Sequence, residues 1–244
     1  MRNVLVAVLV AIVLLFLNQL HLFQRTQHVD YVIHSPNVQY LPKDTTIHQL
    51  ISPKHAHDIA TRVYQLSNHW ERINPVMSVL GTASYIHGRS GNYNFLSTNK
   101  LLQSHFPDLL QSVLHFFKQH CDHPVAYKYA LPGFHVFDCD GMFQFPVSSV
   151  HKDLQYQWLP DNAHLDTHKT MSFTVCIQLP TSGGGLWLFE NSKKIEIQYS
   201  PGYIVCHNGH ATHMIAPSSG NTHRITLQGH SIFDKNTSTW YIYW

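Results

Sequence analysis

The chain carries two hydrophobic rhythms separated near residue 125. Before that point apolar residues recur at helical spacing, and after it they fall in short runs broken by turn residues. Ser52-Pro53 is an N-cap followed by proline at the first helical position, so a helix is predicted from Pro53 to about Trp70. Its inner positions are Ile59, Val63, Tyr64 and Leu66. Leu80 to His87 is rich in β-formers and reads as a strand. Asn99 is placed as the cap of a short helix through Phe106. Pro107 starts another to about His120, with Leu109, Leu110, Val113, Leu114 and Phe117 as its apolar stripe. From Ala126 to the C-terminus, strand-like runs follow one another between Gly, Pro, Asp and Asn. They include Gly133–Phe137, Val147–Tyr156, Met171–Leu179, Leu186–Phe189, Lys194–Tyr199, Tyr203–Cys206, His213–Ile215, His223–Ser231 and Thr239–Trp244. Helices first and short strands after give an α+β domain with helices packed on a β-sandwich or barrel.

The first residues obey neither rhythm. Val4 to Leu17 is apolar on every face, and the stretch continues with polar interruptions to Phe23. No small-residue cleavage site follows, so residues 1–25 are expected to be an uncleaved signal anchor, with a cleaved signal peptide as the alternative. Arg2 and Arg25 flank both ends and orient it poorly. The large C-terminal portion favours a single-pass protein with its domain lumenal or extracytoplasmic, or a secreted domain if the segment is removed. Residues 26–51 read as a stalk and lead-in strand, and 52–244 as one domain with helical support over 52–124 and a β core over 125–244.

Composition narrows the function. A formal charge of +2 with 12% charged residues gives no polyanion-binding surface, so nucleic acid is not expected as a partner. Histidine stands out, at 21 residues, so a lone His says little about metal. There is no CxxC pair. Cys176 and Cys206 lie in apolar runs and read as buried thiols, whereas Cys121 and Cys139 could pair in an oxidising lumen. The sequon Asn236-Thr237-Ser238 suits that location.

Within the β half, four residues carry candidate chemistry: His151, Asp153, His213 and Arg224. On a strand, positions 151 and 153 point to one face, which is what a metal needs from two ligands of one element. Two imidazoles and a carboxylate make the facial triad of non-haem Fe(II) sites, which leaves positions open for O2 and a cosubstrate. The planar fork of Arg224 suits a carboxylate. His164-Leu165-Asp166 repeats the His-x-Asp spacing, but its polar surroundings read as loop, so His151/Asp153 is preferred and His164 could cover the site. His207 and His210 compete with His213. His213 and Arg224 are expected on adjacent antiparallel strands joined by Pro217–Asn221, aimed into one cavity. Gly183-Gly184-Gly185 permits close backbone approach at the turn before Leu186, and no phosphate-loop pattern accompanies it. Tyr156, Trp158, Trp187 and Tyr203 are placed around the cavity mouth.

Taken in order, HKD at 151–153, SFTVCIQLP at 172–180, GGGLWLF at 183–189, PGYIVCHNG at 201–209, THMIAP at 212–217 and GNTHRITL at 220–227 resemble the Fe(II)/2-oxoglutarate-dependent oxygenase superfamily in a prolyl-4-hydroxylase-like layout. The resemblance covers roughly residues 125–231. It implies a double-stranded β-helix, or jelly roll, with the upstream helices buttressing one sheet. It implies that His151, Asp153 and His213 bind Fe(II), that Arg224 binds the C5 carboxylate of 2-oxoglutarate, and that Thr226 assists. The segment between His213 and Arg224 is one residue longer than in many relatives. The implied activity is hydroxylation of a protein, glycan or lipid with release of succinate and CO2, with ascorbate as a possible reductant. A cupin-like metalloenzyme that does not use 2-oxoglutarate, and a non-catalytic jelly-roll binding module, are the alternatives.

Overall fold

The computed structural model describes residues 29–34, 41–138 and 149–244. The candidate anchor lies outside the described residues, as does Cys139 with any pairing to Cys121. Among the described residues no helix is long and apolar enough to cross a membrane.

Among the described residues there are fifteen strands and three α-helices: thirteen strands build two facing sheets with helices on one side, and two short ones pair as a separate ribbon. The strands are β1 (Tyr31–His34), β2 (Thr46–Gln49), β3 (Glu71–Asn74), β4 (Met77–Leu80), β5 (Val125–Tyr127), β6 (Gly133–Phe137), β7 (Leu165–Gln178), β8 (Ser182–Gly183), β9 (Leu186–Glu190), β10 (Lys193–Gln198), β11 (Tyr203–Asn208), β12 (Thr212–Ile215), β13 (Ser218–Ser219), β14 (Arg224–Asp234) and β15 (Thr239–Tyr243). The helices are α1 (Pro53–Gln65), α2 (Leu96–His105) and α3 (Pro107–His120). The major sheet runs β2-β11-β7-β14-β6-β4-β3, with β15 and β5 joined through β14. The minor sheet runs β1-β10-β9-β12. The lead-in thus supplies a strand to each sheet. This is the expected jelly roll with buttressing helices.

Period two on the central strands explains how the layers hold together. On β7, Phe173, Val175 and Ile177 face the helices, where they join Ile59, Val63, Phe117, Ile225 and Leu227 in the largest core. Ser172, Thr174 and Cys176 face the other way, between the sheets. Cys176, Leu186, Leu188, Ile197, Tyr199 and Val205 fill one end of that inter-sheet space. Cys176 and Cys206 are free and buried.

Local departures from the sequence reading have local causes. The first helix stops at Gln65 and continues as a 3-10 turn over Ser67–His69, while Ser52 caps its start by accepting from the His55 amide at 3.1 Å. The strand expected over Leu80–His87 ends at Leu80, and Ser84–Gly88 forms a π-helical turn. Asn99 does not cap a helix: α2 begins at Leu96, and Asn99 instead donates to Tyr129 O and accepts from the Leu131 amide, both at 2.8 Å, pinning the β5–β6 loop. Residues 165–170, read as loop, open the 14-residue strand β7, because Leu165 and Asp166 pair with Asp234 and Phe233 of β14.

Candidate metal and cosubstrate site

A cavity of about 560 Å³ occupies the other end of the inter-sheet space. Its floor is the inner face of the major sheet, where cross-strand registry stacks polar side chains in rows. His207 pairs with Ser172, and Ser172 with His230. One row on, Thr174 pairs with Gln228, and two rows on, Thr226 pairs with His135. Every second residue of β14, from Arg224 to His230, therefore faces inward.

The His151–Asp153 segment does not form the strand expected over Val147–Tyr156. His151 makes an isolated two-way bridge to His213, with both N–H···O distances 2.9 Å, and the Asp153 amide donates to Gly209 O at 2.8 Å. Gln155–Trp158 then turns away as a 3-10 helix. Two backbone anchors are enough to keep positions 151 and 153 on one side. His213 sits on β12 of the minor sheet and Arg224 on β14 of the major sheet, so they are not neighbours on one hairpin. They reach the same cavity from opposing sheets.

The structure brings His151, Asp153 and His213 together, with one ligating atom from each within 4.8 Å of the others. His151 Nδ1 lies 2.7 Å from Ser149 O, and His213 Nδ1 lies 2.9 Å from Ala211 O. A carbonyl can only accept, so both rings carry their proton on Nδ1 and leave a lone pair on Nε2. These Nε2 atoms lie 3.6 and 3.5 Å from Asp153 Oδ1 and Oδ2, too far for hydrogen bonds. Lone pairs turned toward one another around a carboxylate fit a cation among them, and the fixed tautomers are those a metal ligand needs. Gln155 Nε2 donates to Asp153 Oδ1 at 2.8 Å and orients it.

Electrostatics agree with this donor set. Burial alone would raise the Asp153 pKa, but His230, His213 and His207 around it and the Ser172 hydroxyl hold it below the usual carboxylate range. Burial pushes His213 down to about 4 despite the attraction of Asp153, so its ring is neutral at neutral pH. His207 and His230 are also lowered by burial.

Arg224 is 1% exposed. Its Nε donates to Gly184 O at 2.7 Å, its Nη1 lies 3.3 Å from Thr226 Oγ1, and its guanidinium sits 5.6 Å from the ring centroids of both Phe137 and Tyr199. Burial lifts the Tyr199 phenol to about 12 even though Arg224 pulls the other way, so it stays a neutral hydrogen-bonding group. The glycine run now has a cause. Gly183 and Gly184 adopt φ of +73° and +78°, and a Cβ on Gly183 would lie 2.0 Å from Pro217 O. The turn thereby places Gly184 O on the arginine.

Most of the remaining candidates fall outside the cavity. His164 lies in a 3-10 turn whose carbonyl accepts from the Lys235 amide, and Asp166 accepts from the His168 amide. His210 Nε2 is 2.6 Å from Thr167 O, away from the triad, while His207 does line the cavity. Of the four aromatics expected at the mouth, only Trp158 lines the cavity. Tyr156 packs with Leu159 and Tyr243, Trp187 packs with Met214 on the outer face of the minor sheet, and Tyr203 pairs with Gln49. Sequence reasoning missed His135, His230, Ser172, Tyr199 and Tyr85. The signal was present for several: polar residues at every second position of otherwise apolar runs, as in Ser172-Phe-Thr-Val and Arg224-Ile-Thr-Leu-Gln-Gly-His230.

No protein-family model and no curated protein matches the chain. Solved structures do. One is an oxidoreductase of the 2OG-Fe(II) oxygenase family from Burkholderia pseudomallei, 13% identical, covering 76% of this chain and 82% of that one with a TM-score of 0.50. Another is an N-substituted L-amino acid dioxygenase in complex with alpha-KG from Burkholderia ambifaria AMMD, 11% identical, covering 82% and 86% with a TM-score of 0.51. At these identities the likeness is one of fold: the chain has the jelly-roll fold seen in 2OG-Fe(II) oxygenase structures.

Proposed function

We propose that the chain is an Fe(II)- and 2-oxoglutarate-dependent dioxygenase that hydroxylates a substrate as 2-oxoglutarate is converted to succinate and CO2. The observation that carries this reading is the convergence of His151, Asp153 and His213 in the same cavity as the buried Arg224. His151 and His213 would each offer Nε2 and Asp153 a carboxylate oxygen, the ligand set of non-haem Fe(II) sites with open positions. When bound, iron supplies O2 activation, chemistry that no side chain here can perform.

The protein's own residues do the rest. Ser149 O and Ala211 O keep the Nδ1 protons in place, so each ring turns Nε2 toward the metal position. Arg224 and Thr226 would hold the far carboxylate of 2-oxoglutarate, and Tyr199 would add a neutral hydrogen bond. The guanidinium suits this role because it is already desolvated and fixed by Gly184 O, so little reorganisation remains on binding. Leu186 and Ile215 on the minor-sheet side of the cavity exclude water from the reacting region. The apolar run Val4 to Leu17 supports a membrane anchor, and with it a lumenal or extracytoplasmic setting for the domain.

The test is succinate release by the full chain with Fe(II), 2-oxoglutarate and ascorbate under air. Succinate formation that is lost in His213→Ala and Arg224→Ala is the expected result. Absence of turnover together with absence of saturable Fe(II) or 2-oxoglutarate binding would instead make the domain a jelly-roll binding module.

A further inference from the structure

Beyond the triad and the arginine, the cavity has a second wall, built from the π-helical turn Ser84–Gly88 and the 3-10 turn Gln155–Trp158. Gly88 lets the two meet: a Cβ there would lie 2.9 Å from Trp158 O and 3.0 Å from Trp158 Cβ. The turn sends Tyr85 inward and leaves Arg89 exposed at the rim, beside Trp158, which is 41% exposed. Lys152 lines the same rim. Neither cation has an ion-pair partner among the described residues. Asp153 is the one carboxylate among the described residues of the lining, and it belongs to the triad. If metal and 2-oxoglutarate fill the far end, Arg89 and Lys152 are left without an acid among the described residues of the lining.

Behind this rim stands a buried pair. Tyr85 Oη lies 2.6 Å from His135 Nε2. His135 is 6% exposed, lines the cavity, and has no partner at Nδ1. Burial raises the Tyr85 phenol and, with Arg224 and His230 nearby, lowers His135 to about 3, so both groups are neutral. Between a neutral phenol and a neutral imidazole the phenol is the donor, which puts the ring proton on Nδ1. That buried N–H has no acceptor among the described residues, so the Tyr85 hydrogen bond is what holds the ring in place.

We propose that this wall is the substrate-recognition site of the oxygenase proposed above, and that it selects an anionic substrate. The acid group of that substrate, a carboxylate, sulfate or phosphate, is held at the rim by Arg89 and Lys152, its apolar or flat body lies against Trp158, and the Tyr85–His135 pair stands as the wall behind it. Tyr85 is a positioning residue that fixes the His135 tautomer. The proposal rests on the oxygenase reading for its meaning as a substrate site, but its chemistry can be tested separately.

The probes are naphthalene-2-sulfonate and naphthalene-2-sulfonamide, nearly matched in shape and different in charge. Their binding to the full chain is measured by ligand-observed NMR under argon, with Fe(II), with and without saturating 2-oxoglutarate. The expected result is a preference for the sulfonate of about tenfold, the order of a charge-assisted hydrogen bond. That preference persists in the presence of 2-oxoglutarate and is lost in the Arg89→Ala/Lys152→Ala double variant, whose positions are exposed and whose melting temperature should match that of the unmodified protein. Tyr85→Phe shifts the ¹⁵N resonances of the His135 ring at unchanged melting temperature, which loss of packing alone would not do. Equal binding of the two probes, or no binding of either, overturns the proposal. So does a sulfonate preference that survives in the double variant and is abolished by 2-oxoglutarate, because the anion then sits at Arg224, leaving the oxygenase reading intact. A rim-dependent preference in a protein that binds neither Fe(II) nor 2-oxoglutarate supports the anion site and overturns the oxygenase reading.

Discussion

The two faces of the major sheet are made by the same strands and do opposite work. On β7, Phe173, Val175 and Ile177 turn toward α1 and α3 and form a dry layer, while Ser172 and Thr174, one residue out of step, line the cavity beside the triad. On β14, Ile225 and Leu227 join the dry layer while Arg224, Thr226, Gln228 and His230 face the cavity side. Because the side-chain period is two, a one-residue slip in register would exchange the two sets. The dry face fixes the register, and the register in turn aims the chemistry. Substitutions on one face should therefore cost stability and spare metal binding, and substitutions on the other should do the reverse.

The largest expected effects lie on the cavity face. Asp153→Ala or His213→Ala should abolish Fe(II)-dependent succinate formation while moving the melting temperature less than any truncation in the dry layer. On the opposite face, Phe173→Ala removes a ring that packs on Phe117 with centroids 5.1 Å apart, and it should cost about 3–5 kcal/mol in chemical denaturation. Its Fe(II) affinity, measured below the unfolding transition, should stay near that of the unmodified protein. A large loss of metal affinity there would show that the two faces are not separable. Arg224→Lys keeps the charge but loses the planar fork, so the KM for 2-oxoglutarate should rise about tenfold or more with a smaller change in kcat.

A weaker effect comes from pH. In the metal-free protein the His213 ring titrates near 4 instead of its ordinary 6.5. Between those values the unfolded chain binds a proton that the folded chain does not, so stability is full above about pH 6.5 and falls as pH drops toward 4. Asp153, held low, adds loss of the same sign further into acid, as the pH falls through its folded pKa. Denaturation of the apoprotein across this range should show the slope, and His213→Ala should flatten its upper part. The smallest effect is expected from His164→Ala, which should leave Fe(II) binding and turnover unchanged because that side chain lies outside the cavity.

Much of this was legible in the chain. The dry layer follows from apolar periodicity, and the triad and Arg224 stand out because their spacing matches a known ligand pattern. The local conformation that carries the triad was not legible. The residues around His151 were read as a strand, yet they make only two anchoring contacts with β12 and the residue Gly209, and such pairing depends on a partner more than 50 positions away. The same is true of Leu165 and Asp166, whose polar neighbours suggested a loop until pairing with β14 drew them into β7. The Tyr85–His135 contact joins a turn to a strand 50 residues on, and no local pattern announces it. Polar residues alternating with apolar ones inside buried strands were the readable sign of the cavity floor.

The most direct measurement is anaerobic titration calorimetry of Fe(II) into the full chain, followed by 2-oxoglutarate into the iron-loaded protein. The account predicts one saturable Fe(II) site lost in His213→Ala and retained in His164→Ala, and 2-oxoglutarate binding that requires that iron. Unchanged Fe(II) binding in His213→Ala, or its loss in His164→Ala, would contradict the assignment of His151, Asp153 and His213 as the metal site.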